Sequence, residues 1–214
     1  MPRLSLTNLK PILITVAIGC LALNGFMSYQ AKTERKALQD AAGKCAATPA
    51  IAACSAVIDR VPKASWAYAA RGLAYSSNLQ QDLAIVDLDT AISIDPNFAW
   101  AYALRAVAYG VKGDRQHEIA DYTRAIALNP ADAQSYSNRA VAYLQNGESE
   151  LAIADTSRAI EINPKLVAAY INRAAAHKKA GDGARAIEDY RSALALKPRD
   201  QTSIDGLKRL GVSG

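Results

Sequence analysis

From residue 65 onward, apolar positions recur at helical spacing in stripes parted by short polar turns. Leu88, Ala91, Ile92 and Ile94 form one stripe; Ala186, Ile187, Tyr190, Ala193 and Leu194 form another. The stripes themselves repeat. Pro62, Pro96, Pro130, Pro164 and Pro198 stand 34 residues apart, and the same step joins Tyr68, Tyr102, Tyr136 and Tyr170, as well as Ala91, Ala125, Ala159 and Ala193. A fourth column is Ile51, Ile85, Ile119, Ile153 and Ile187. Every period holds two amphipathic helices. Lys112-Gly113-Asp114, Asn146-Gly147-Glu148 and Gly181-Asp182-Gly183 turn the chain between them, and the second helix stops ahead of its proline, which disfavours the α region at the preceding residue. The pattern predicts an all-α chain of helical hairpins that bury their apolar faces by stacking.

In one period, Tyr136 opens the first helix, Ala140 and Tyr143 follow, and Gly147 turns the chain. Ala152, Thr156, Ala159 and Pro164 complete the set. This constellation resembles the tetratricopeptide repeat family, and four such units cover 65–98, 99–132, 133–166 and 167–199. The resemblance implies a right-handed α-solenoid whose concave surface is formed mainly by first helices. Residues 32–64 read as a degenerate first unit: Ala50, Ile51, Val57, Ile58 and Pro62 keep the second-helix register, with Thr48-Pro49 as its N-cap and first-turn proline, but the partner helix near 32–43 keeps almost none of the usual residues. Residues 200–214 read as a capping helix and tail, with Ile204, Leu207 and Leu210 inward and Gly211 at the end.

The small residues Gly72, Ala106, Ala140 and Ala174 on first helices face Ala84, Glu118, Ala152 and Ala186 on second helices, which allows close helix approach. Glu118 breaks this column. It is expected to bend outward or reach an arginine, across a locally wider crossing.

Charge is unevenly placed. The net charge of +5 resides in residues 1–64, with eight Lys and Arg against three Asp and Glu, whereas 65–214 carry seventeen of each. No basic face stands out for nucleic acid, and none is expected as a partner. Residues 11–31 contain no charged side chain, and the strongly apolar part runs from Pro11 to Leu23. The segment is long enough for a membrane anchor, while its short apolar core equally suits a cleaved signal peptide. Cys20, after Ala17-Ile18-Gly19, sits in a poor match to a lipoprotein cleavage box. The expected setting is a single-pass protein of the bacterial inner membrane with the repeats in the periplasm, or a soluble periplasmic or secreted protein after cleavage.

Cys45 and Cys54 flank the start of the first recognisable second helix. In an oxidising compartment they are expected to form a disulfide that strengthens the weakest unit; in a reducing one, Cys54 simply fills the core. The pair is similar to cysteine pairs in exported repeat proteins of bacteria.

Arg71, Arg105, Arg139 and Arg173 recur every 34 residues, and so do Asp87, Asp121, Asp155 and Asp189. Pairing within a unit, Arg71 with Asp87, leaves no orphan at the array edges, because the degenerate unit has Ala37 and Ala53 in both columns. Pairing between units, Asp87 with Arg105, would strand Arg71 and Asp189. Structural ion pairs within units are therefore expected rather than an arginine row for an acidic ligand.

By the family geometry, the groove should be lined by Trp66, Ala69, Ala70 and Leu73, then Trp100, Ala103, Leu104 and Val107. Further on come Ser137, Asn138, Val141 and Gln145, then Ile171, Asn172, Ala175, Lys178 and Lys179. Two Trp on such a face either anchor a peptide or pack on adjacent units. The Lys-Asn clamp by which some relatives seize a C-terminal carboxylate is absent from the early units, which disfavours chaperone tails. No Ser-His-Asp or Cys-His set converges and no phosphate loop appears, so no enzyme and no cofactor are expected. With only His117 and His177, no metal site is expected either. The expected function is a scaffold binding an unidentified protein or peptide; the alternative is a self-associating assembly factor.

Overall fold

The computed structural model describes residues 32–47 and 50–212, which form helices and no strand. In chain order these are α1 (32–47), α2 (Ile51–Arg60), α3 (Ser65–Ser77), α4 (Gln81–Ile94), α5 (Ala99–Lys112), α6 (Arg115–Leu128) and α7 (Ala133–Asn146). They continue as α8 (Ser149–Ile162), α9 (Val167–Lys179), α10 (Gly183–Leu196) and α11 (Gln201–Arg209). The uncharged segment 11–31 and the expected Thr48-Pro49 cap lie outside the described residues. No helix among the described residues is long and apolar enough to cross a membrane.

Extensive packing joins consecutive helices from α2 to α11, and beyond these α3 touches α5 and α7 touches α9. The chain is thus a file of hairpins, not a bundle around one centre. First helices of successive units meet at two joints, α3 with α5 and α7 with α9, while second helices make no comparable contact among the described residues, so the closer approach within the file is on the side of the first helices. These line its inner side.

The core is built of small residues. Ala84, Ala106, Ala140, Ala152, Ala174 and Ala186 are fully buried at the crossings. At Gly72 even a methyl group would stand 2.9 Å from Leu88 Cγ, so the first crossing tolerates no side chain there. Of the two expectations for Glu118 the arginine contact is the one observed: it is buried rather than bent outward, and the α5–α6 pair packs as closely as the other hairpins, so the crossing is not widened. The reason is Gly110, where an added Cβ would lie 2.6 Å from Glu118 Oε1. A missing side chain on α5 makes room for an enlarged one on α6, and Arg115 pairs with the carboxylate.

Gly113, Gly147 and Gly181 turn three hairpins at positive φ, but the same turn in the first full unit is made by Leu79 at φ 60°. An L side chain in that region costs roughly 1–2 kcal/mol, and Leu79 is 82% exposed, so packing does not offset the strain. Leu79→Gly is expected to raise the unfolding free energy by about 0.5–1 kcal/mol, part of the relief being lost to a freer unfolded chain; urea denaturation measures it, and a lower midpoint would refute it.

At the far end, Asp200 caps α11 by accepting from the Ser203 N–H at 3.0 Å. Leu207 is buried, and Leu210 packs on the same cluster. Gly206 lies flat on the Tyr190 ring, where a Cβ would come within 2.4 Å of Cζ. At the near end a disulfide joins Cys45, in the last turn of α1, to Cys54 in α2, with Cα atoms 4.9 Å apart.

Candidate functional site

Each repeated arginine projects from its first helix into a fixed nest. Arg71 donates through Nε and Nη2 to both oxygens of Asp87, at 2.7 and 2.8 Å, and Arg105 and Arg139 hold Asp121 and Asp155 at the same distances. Arg173 holds Asp189 at 2.9 and 2.7 Å. Such bidentate pairs are the stronger kind of charge-assisted bond. The hydrogen bond to Asp121 is the main influence that pushes the Arg105 pKa up. Around Arg71, Arg105 and Arg139, tyrosines at the third residue before and the fourth after flank the guanidinium, as Tyr136 and Tyr143 do for Arg139 at 5.8 and 5.6 Å; Arg173 has Tyr170 before it, and His177 stands in the later position.

The remaining nitrogen crosses to the preceding unit. Nη1 of Arg71 donates to Ser55 at 2.9 Å, that of Arg105 to Asp89 at 2.5 Å, that of Arg139 to Thr123 at 2.9 Å and that of Arg173 to Ser157 at 3.2 Å. One side chain therefore closes its own hairpin and clasps the one before it. Sequence reasoning missed this link, although its signal is present: Ser55, Asp89, Thr123 and Ser157 form a polar column of the same 34-residue step. With carboxylate, rings and neighbour engaged, these arginines are scaffold.

The inner groove is set by what the first helices leave uncovered. Trp66, Trp100, Val107 and Val111 are exposed; on α5 the last three recur at i, i+7 and i+11, one face of the helix. The Trp100 ring meets that of Phe98, with ring centroids 5.9 Å apart. Leu73 is half-buried, and Leu104 packs partly on the core around Ala69 and Ala101. Ala69, Ala70 and Ser137 differ from the groove expectation: all three are buried at the joints.

Asn172 and Lys179 also turn out to serve the joint between the third and fourth units. Asn172 Nδ2 donates to the Ser137 hydroxyl at 3.0 Å and its carbonyl at 3.3 Å, and Lys179 Nζ donates to the Leu144 carbonyl at 2.5 Å. The Leu144 carbonyl, which also accepts from the Gly147 N–H at 3.2 Å, belongs to the last turn of α7, the negative end of the helix, which favours a cation. Lys178 stays exposed.

Asn138 accepts from Gln134 Nε2 at 2.7 Å and faces the hydroxyl of Tyr122, whose pKa burial pushes up. It stands on the rim of a cavity of about 330 Å³ between α5, α6 and α7, walled by Val107, Val111 and Val141 and floored by Glu118. Among the residues first expected to line the groove, this cavity gathers Val107, Asn138, Val141 and Gln145. Glu118, Arg115 and Val111 join them only through the fold.

Models of the tetratricopeptide repeat match residues 67–98, 133–166 and 167–200, which are the stretches whose stacking, turns and arginine clasps are described above. The chain carries tetratricopeptide repeats. Solved structures agree with these repeats. A crystal structure of MamA is 26% identical, covering 70% of this chain and 87% of that one, with a TM-score of 0.64. The tetratricopeptide repeat domain of Arabidopsis OM64 is 32% identical over 53% of this chain and 93% of its own, with a TM-score of 0.52. The first such domain of Spaghetti (RPAP3), bound to the HSP90 peptide SRMEEVD, is 25% identical over 53% of this chain and 90% of that one, also at 0.52. No curated protein matches the chain.

Proposed function

We propose that the tetratricopeptide repeats form a right-handed solenoid that acts as a non-enzymatic scaffold, holding an extended segment of a partner protein along its inner groove. The observation that carries this reading is the uncovered aromatic and aliphatic face of Trp66, Trp100, Val107 and Val111, since aromatic anchors of this kind supply much of the energy in recognition. Asn138 and Gln145 offer hydrogen bonds beyond it, and exposed Lys178 marks the far end as basic. The peptide held by the related Spaghetti domain supports the general mode.

Residues 11–31 would anchor the chain as a single span of the bacterial inner membrane, with the repeats in the periplasm, where the Cys45–Cys54 bridge is favoured. Cleavage of the same segment would leave a soluble periplasmic protein.

Trp100→Ala is expected to weaken binding of a selected peptide at least tenfold without changing helical content, read by titration calorimetry and circular dichroism. Unchanged affinity would refute the groove as the site. A second reading, self-association, draws on Leu79, Leu83 and Val86, exposed along one side of the first full unit. Sedimentation separates the two: dimerisation abolished by Leu83→Glu, with no peptide bound at any concentration, supports assembly.

A further inference from the structure

We infer that the cavity between α5, α6 and α7 is a subsite for one basic side chain of the partner, a lysine or arginine. This rests on the groove reading above and adds the chemistry that selects the partner. In the other three full units the second helix brings alanine to the crossing, as Ala84, Ala152 and Ala186, all fully buried. Only here has the pair changed to Gly110 and Glu118, and the exchange places a carboxylate at the floor of a slot open to the inner groove.

The two oxygens of that carboxylate are not equivalent. Arg115 donates to Oε2 and also, at 3.3 Å, to the Gly110 carbonyl. Oε1 receives no hydrogen bond from the described residues, yet no buried side-chain oxygen among them is left without a partner, so Oε1 is reachable from the cavity. Above it stand Val107, Val111 and Val141.

An occupant must satisfy both parts. A methylene stem lies against the three valines while its cationic head reaches Oε1, which is how long basic side chains divide between apolar and polar surroundings. An acidic side chain would meet Glu118 as a like charge, and a wholly apolar one would strip water from Oε1 without replacing its hydrogen bond. The volume, about 330 Å³, is at the lower end of ligand pockets, which span about 300–1,000 Å³, and suits a single side chain. Arg115 balances the carboxylate while the slot is empty. Its bond is to Oε2 and its side chain is 31% exposed on the first turn of α6, so it keeps that oxygen, and its own charge stays partly in water, while the incoming cation takes Oε1.

The test is selection of a phage-displayed library of random twelve-residue peptides on the full-length protein. The expected pool pairs an aromatic or aliphatic anchor with a basic residue at fixed spacing. Replacing that residue by norleucine in the synthetic winner should weaken binding to wild type at least tenfold, and Glu118→Gln should abolish the difference between the two peptides. A converged pool without a basic residue, or an equal norleucine penalty in wild type and Glu118→Gln, overturns the subsite and leaves the groove standing. A pool that never converges, or a winner indifferent to Trp100→Ala, overturns both. Should Glu118→Gln fail to fold by circular dichroism, the norleucine comparison on wild type and the pool sequence still decide.

Discussion

Arg139→Ala is expected to lower the unfolding free energy by about 3–5 kcal/mol, because it leaves the Asp155 carboxylate buried without its counter-charge. Asp155 is 8% exposed and receives both of its charged hydrogen bonds from this one side chain. The loss also removes the hydrogen bond to Thr123 on the preceding unit, so the joint between the second and third units weakens together with the third hairpin. In a stack whose stability is a sum of units and nearest-neighbour contacts, the single urea transition is expected to broaden or divide there. Arg158→Ala is the control. Arg158 meets Glu161 at 2.8 Å, but both side chains are more than half exposed, and exposed pairs contribute about 0–1 kcal/mol. Equal effects of the two variants, measured by urea denaturation, would show that the arginine column is not the clasp described here.

Reduction of the disulfide, or the double change Cys45→Ser with Cys54→Ser, is expected to destabilise the first unit by about 2–3 kcal/mol on the chain-entropy estimate for so short a loop. The effect should be local. α1 is exposed along most of its length and, besides the buried Cys45 itself, offers Leu38, Ala41 and Ala42, half-buried, to the cluster around Cys54, Val57 and Ala67. Without the bridge its packing is too small to hold it, and backbone hydrogen exchange in 32–47 should rise toward that of an unfolded segment, while α7 to α10 exchange as before. Unchanged protection of α1 after reduction would mean that side-chain packing alone retains it.

The period of 34 carried most of the architecture because a repeat writes the same local demand several times. A proline column stops helices, a small column sets crossings, and an arginine and an aspartate column sixteen residues apart meet across one hairpin. Each involves neighbours in sequence, whose relative placement helical geometry dictates. The groove was legible only in part for the opposite reason. Asn172 and Lys179 stand in groove register, yet they reach Ser137 and Leu144, 35 residues earlier. Whether a residue at that register faces a ligand or the adjoining unit depends on the rotation between successive hairpins, which no spacing within one hairpin encodes.

The sequence by itself determined that this protein is a file of helical hairpins followed by one further helix, because turn chemistry and apolar periodicity act within a few residues. It also determined which arginines and aspartates belong to the scaffold. Only the tertiary structure decided that each arginine also clasps the unit before it, and that Gly110 yields its space to Glu118. The physical reason is the close packing of small residues: at crossings this tight, the position of one side chain is set by the volume its neighbour lacks.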